Sequence, residues 1–176
     1  MPVKPEIQLL EQRITALPAD LRLVFAAACC ERVVPVHEFD GYEGTDDVVR
    51  ASDVIWKAAL GEKVSAAALR TLDKKLAKCM PNAEEEPGYQ GTIAAVVTLQ
   101  YGLEVAKDGS LPALINVSRG EYDAYEALGD FAARDYEQNW QREAVGLLER
   151  SVSEQVSRSM FQLLPEPPVH LFPEIG

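Results

Sequence analysis

A chain of 176 residues is long enough to bury one well-formed core and short for two. Its hydrophobic content of 47% and charged content of 26% are those of a soluble globular protein. A formal net charge of −11 excludes the electrostatics of a nucleic-acid or anionic-membrane binder and instead favours a basic partner or a cation.

Ile7, Leu10, Ile14 and Leu17 recur at three- and four-residue steps, predicting a first helix over about 5–16. Pro18 and Asp20 suit a fresh helical start. The run LRLVFAAACCERVV that follows is apolar around nearly its whole girth, so this second helix is expected at the centre, with Pro35 ending or kinking it. GYEGTDD (41–47) is a loop, with Thr45 or Asp46 as N-cap of a helix carrying Val48, Val49, Val54, Ile55 and Trp56. Trp56 is expected in the core. Gly61 stops that helix, and Ser65 begins another through AALRTLDKKLAKCM.

PNAEEEPG (81–88) is a loop by its two prolines, glycine and three consecutive glutamates. Gly91 to Lys107 is ambiguous, because IAAVVTL has the β-branched residues of a buried strand; its length, its alanines and the lack of a partner strand favour helix. Asp108-Gly109-Ser110 stops one helix and, with Pro112, opens another that reaches about Leu128. Gly129-Asp130 either interrupts it or sits on its surface. From Asp130 the spacing Ala132, Tyr136, Trp140, Ala144, Leu148, Val152, Val156, Met160 predicts a long amphipathic helix ending near Leu164, with Arg150, Glu154 and Arg158 outside. The tail PEPPVHLFPEIG must lie extended, with Leu171 and Phe172 covered by the same chain or by a twin subunit, which leaves a homodimer open. No internal repeat and no period-2 alternation is present. The prediction is an all-α, single-domain bundle of about six or seven helices over 1–164, with an extended Pro-rich tail over 165–176.

The N-terminus, MPVKPEIQLLEQRI, has neither the apolar core nor the cleavage site of a signal peptide. No run approaches the roughly 18 apolar residues of a membrane span. Cys29, Cys30 and Cys79 have no framework spacing and fit a reducing compartment. A cytoplasmic protein is expected.

Catalytic motifs are missing. His37-Glu38 starts like a zincin helix but lacks the second His four residues on, and the other His, His170, lies in the tail. Cys29-Cys30 on an Ala-rich helix reads as small core groups, with only Arg32 nearby to activate a thiol. The glycines form no phosphate-binding loop. Glu84-Glu85-Glu86 and Asp46-Asp47 lack the alternating ligands of a calcium loop. No cofactor, no metal and no catalytic residue is assigned.

What stands out is where the acid lies. Residues 1–80 hold 11 Lys/Arg against 12 Asp/Glu, whereas residues 81–176 hold 6 against 16. The stretch EYDAYEALGDFAARDYEQNW (121–140) alone has six carboxylates, four Tyr or Trp and one cation, Arg134. One assignment puts Tyr122, Tyr125, Leu128, Ala132, Tyr136 and Trp140 on an inward stripe with the acids outside. The other makes Glu121, Tyr122, Asp123, Tyr125, Glu126 and Asp130 a protein-binding face, rings giving contact area and acids steering a basic partner.

FAAACCERVVPVHEFDGYEGTDDVVRASDVIWKAAL (25–60), together with GTIAAVVTLQYGLE and QNWQREAVGLLE downstream, resembles an uncharacterised bacterial helical family, domain of unknown function 416. The resemblance implies an all-α domain in a bacterial cytoplasm and carries no activity, cofactor or catalytic residue. The family's gene neighbourhoods imply, loosely, an association with signalling kinases. Two functions are therefore expected. The leading one is a non-enzymatic module for a basic protein, most concretely an immunity protein neutralising a cationic toxin. The other is a signalling adaptor or regulator. An enzyme using scattered carboxylates is a third class.

Overall fold

The second helix, α2 (Ala19–Asp40), is the axis of the molecule. Leu21, Val24, Phe25, every residue from Ala26 to Cys30, Val33 and Val36 are buried, as expected of a helix apolar on all sides. In the computed structural model, which describes residues 4–86, 88–129, 131–151 and 155–168, six further α-helices and a 3₁₀ segment surround or adjoin it. They are α1 (Pro5–Ala16), α3 (Thr45–Ala59), α4 (Ala66–Lys78), α5 (Gln90–Asp108), α6 (Leu111–Ala127), α7 (Phe131–Glu149) and the 3₁₀ segment Arg158–Leu163. No strand occurs among the described residues, so Gly91–Lys107 is helical and the all-α prediction holds. Helix α2 touches α1, α3, α5, α6 and α7.

Pro35 does not end α2. The helix runs on to Asp40 and is closed by Gly41 at φ +68°, whose N–H bonds the His37 and Glu38 carbonyls. A proline removes one i→i−4 hydrogen bond, and burial of Val33, Val36 and His37 on either side outweighs that loss.

Helices α3 and α4 are one-sided, burying Val48, Ala51, Ile55 and Trp56, and Leu69, Leu72 and Leu76. Ser65 and Ser110 cap α4 and α6, accepting from the N–H groups of Ala68 at 3.1 Å and Ala113 at 3.3 Å. The residue preceding α3 is Gly44, not the expected Thr45 or Asp46. Its φ of +96° suits glycine, and a Cβ there would run into Cys79 Sγ. Close helix crossing explains Gly102 on α5, where a Cβ would strike Cys30 Sγ on α2 and approach Ile55 Cδ1 to 2.8 Å. Trp56 is 1% exposed, as expected, and its indole N–H donates to Glu31 Oε2 at 2.8 Å.

The long C-terminal helix is shorter than predicted. Helix α7 stops at Glu149, where the N–H groups of Arg150 and Ser151 close the last turn onto the Leu147 and Leu148 carbonyls. The apolar stripe continues in sequence, but Val156 and Phe161 are delivered by a returning segment instead of a continued helix. Phe161 packs against Trp56 and Trp140 at centroid distances of 5.8 and 6.2 Å, and Arg158 reaches back to Glu31 and Asp53, both at 2.9 Å. Burying Phe161 between two indoles outweighs further helical turns through a serine-rich stretch. Val152, Glu154, His170, Leu171 and Phe172 lie outside the described residues. No helix among the described residues is long and apolar enough to cross a membrane.

Candidate functional site

The acidic aromatic stretch forms the end of α6, a turn and the start of α7. Gly129, at φ +85°, lies in the turn, so the helix is interrupted there. Helix α6 is covered by α5, α2, α7 and α1, which leaves it little free surface. Glu121 and Tyr125 are wholly buried and Tyr122 is 4% exposed. These three therefore cannot present themselves to a partner, so of the expected face of Glu121, Tyr122, Asp123, Tyr125, Glu126 and Asp130 the two tyrosines and Glu121 are core residues. Asp123 is exposed; Glu126 is half-buried and paired with Arg134. Asp130 lies outside the described residues. The inward stripe is met at Tyr122, Tyr125, Trp140, Ala144 and Leu148 and fails in the first turns of α7, where Ala133 and Glu137 point in while Ala132 is exposed and Tyr136 is half-buried.

What the stretch builds is a buried polar network. Arg32 on α2, 6% exposed, donates from Nε and Nη2 to Glu137 Oε2 and Oε1, both at 2.5 Å. Its Nη1 donates to the Pro165 carbonyl at 3.0 Å, and its guanidinium lies 4.2 Å from the Trp140 ring centroid. Glu121 Oε2 accepts from Gln141 Nε2 at 2.5 Å, and Gln141 is held in turn by the Ser118 hydroxyl at 2.6 Å and carbonyl at 2.8 Å. Tyr125 donates its phenol proton to the Arg32 carbonyl at 2.6 Å. Groups on α2, α6 and α7 and the start of the tail thus meet in one dry place.

Burial, then the charge of Glu137, holds the Glu121 carboxyl well above the usual carboxylate range, against the opposing pull of Arg32 and Gln141. Burial pulls the Arg32 guanidinium down, and the carboxyls of Glu137 and Glu121 more than offset this. The Cys29 and Cys30 thiols are pushed up by burial and by Glu121, the reverse of what a nucleophile needs. Neither Glu121 nor Glu137 has any solvent exposure, so a substrate cannot reach them as they stand. Among the described residues no group of three or more His, Cys, Asp or Glu side chains is placed to hold a metal ion.

Outside this network runs a cleft of about 520 Å³, walled by Glu31, Arg32, Pro35, Trp140, Phe161 and Pro165. Of its charged groups Arg32 is engaged with Glu137, and Arg158 with Glu31 and Asp53, while Glu166 is exposed.

A second gathering of acid and tyrosine stays on the surface, where two loops meet. Tyr42, from the loop after α2, donates to Glu86 Oε2 at 3.0 Å and packs edge-on against Tyr89 with ring centroids 4.9 Å apart. The bond to Glu86 raises the Tyr42 phenol above its ordinary value. Asp40 Oδ2 accepts from the Thr92 N–H at 2.6 Å, tying the end of α2 to the first turn of α5. Around this joint Glu38, Glu43, Asp46, Glu84 and Glu85 are exposed, and none has an ion-pair partner among the described residues. The sequence signal was present in GYEGTDD and PNAEEEPGY, each a tyrosine beside carboxylates, but forty residues separate them.

The chain is similar in fold to a crystal structure of a DUF416 family protein from Shewanella baltica OS155, with a TM-score of 0.70 and 16% sequence identity over 86% of this chain and 89% of that one. No family model and no curated protein matches the sequence. At this identity the likeness shows the helical architecture, which is what the resemblance of residues 25–60 implied.

Proposed function

We propose that the protein is a binding module, not an enzyme, that takes a basic protein on the surface formed by residues 38–47, 82–86 and 88–89. The observation that carries this reading is the Tyr42–Tyr89 pair set among exposed, unpaired carboxylates. Paired rings supply contact area at low entropic cost, and the carboxylates steer and orient a cationic partner. The net charge of −11 adds long-range attraction of the same sign. The inaccessible Glu121–Glu137 pair and the raised Cys29 and Cys30 thiols support a non-catalytic role. In its most concrete form the partner is a cationic toxin and the protein its immunity factor.

The test is capture of partners from the native organism on the immobilised protein, eluted in steps of rising salt and identified by mass spectrometry. The reading predicts a basic protein released by salt, since screening weakens contacts between exposed charges. Recovery of only neutral or acidic proteins, indifferent to salt, would contradict it.

A further inference from the structure

One cation faces two carboxyls in the core. Glu137 occupies the Arg32 fork on both prongs, at 2.5 Å each, which leaves Glu121 Oε1 at 3.6 Å from Arg32 Nε and accepting no hydrogen bond. Its other oxygen is bound by Gln141. The groups facing Glu121 are Arg32, Cys29 and Cys30 from α2, Tyr125 from its own helix, and Glu137 from α7. Arg32 supplies the positive charge of this set, so two ionised carboxylates would leave one negative charge uncompensated and without solvent. Isolated buried charge of that kind is removed by taking up a proton. The Glu121 and Glu137 carboxyls thus converge on one guanidinium, and a proton on either removes the repulsion between them.

We propose that Glu121 and Glu137 share one bound proton, carried by Glu121, and that this proton is a structural component of the α2–α6–α7 junction. At neutral pH the unfolded chain releases it, because an exposed Glu titrates near ~4.3, and folding takes it back from solvent. The sign follows. A carboxyl whose folded value is raised contributes stability that is full below its unfolded value and is lost as pH rises through the folded one. The junction therefore acts as an alkaline-sensitive latch: loss of the proton places repelling charges between α6 and α7.

Glu121→Gln copies the neutral acid, its carbonyl accepting from Gln141. In urea melts between pH 6 and 8 the unfolding constant of the unmodified protein should rise relative to the variant's by about tenfold per pH unit, the signature of one linked proton. A ratio that stays constant with pH would overturn the proposal. Should Glu121→Gln not fold, infrared spectroscopy of the unmodified protein decides. A neutral carboxyl stretch resistant to hydrogen exchange at pH 7 is expected, and its absence would equally overturn the proposal.

Discussion

Arg32 and Glu137, 105 residues apart, face each other through two hydrogen bonds of 2.5 Å, with 7% and 0% of their side chains exposed. The pair joins α2 to α7, which otherwise share limited contact. Removing one partner leaves the other as an uncompensated buried charge, whereas replacing both with apolar groups of similar length does not. Arg32→Ala is expected to lower unfolding stability by about 3–5 kcal/mol in urea titration. Arg32→Met combined with Glu137→Met should sit closer to the unmodified protein than Arg32→Ala does.

Trp56 packs under α2 and against Phe161, with its N–H on Glu31. Trp56→Ala is expected to cost about 3–5 kcal/mol, the range for emptying a buried large aromatic site. The loss should appear as a fall in melting temperature of many degrees. A fall of only a degree or two would show that the returning 3₁₀ segment refills the space.

Gly102→Ala should destabilise the protein even though alanine is the better helix former. A Cβ at this position meets Cys30 Sγ and Ile55 Cδ1. Overpacking a crossing of this kind costs about 1–3 kcal/mol, more than the roughly 1 kcal/mol of helix propensity that alanine returns. Adding Cys30→Ala vacates the space and should restore most of the loss, a coupling that a double-mutant cycle measures directly.

Much of the fold was legible because local signals agreed with tertiary packing. Ile7, Leu10 and Ile14 form one buried stripe at helical spacing, and Ser65 and Ser110 stand where α4 and α6 begin. The apolar girth of α2 placed it at the centre. Periodicity failed where tertiary structure overrode it. The stripe from Trp140 to Met160 keeps one period through the end of α7, and only Phe161, held between distant Trp56 and Trp140, explains why the chain turns back.

The site was misread for a related reason. Glu121 and Glu137 look like surface acids in sequence, and a carboxylate is normally solvated. Their burial depends on Arg32, 89 residues before Glu121 (121 − 32) and 105 before Glu137, and no local pattern announces that pairing. Tyr42 and Tyr89 suffer the opposite fate: each sits in a segment readable as loop, and only folding makes them one surface.

Two charge reversals separate the loop surface from the original stretch at equal change in net charge. Glu38→Lys, Glu43→Lys and Glu85→Lys together alter the surface around Tyr42, while Asp123→Lys, Asp135→Lys and Glu143→Lys together alter exposed acids of α6 and α7. Circular dichroism should report folded helical protein for both, since all six positions are exposed. Binding of the captured basic partner is then measured for each at low salt. Recognition through the surface around Tyr42 and Tyr89 predicts that the first variant loses the partner and the second retains it. Retention by the first with loss by the second would contradict that assignment and return recognition to the exposed edge of α6 and α7.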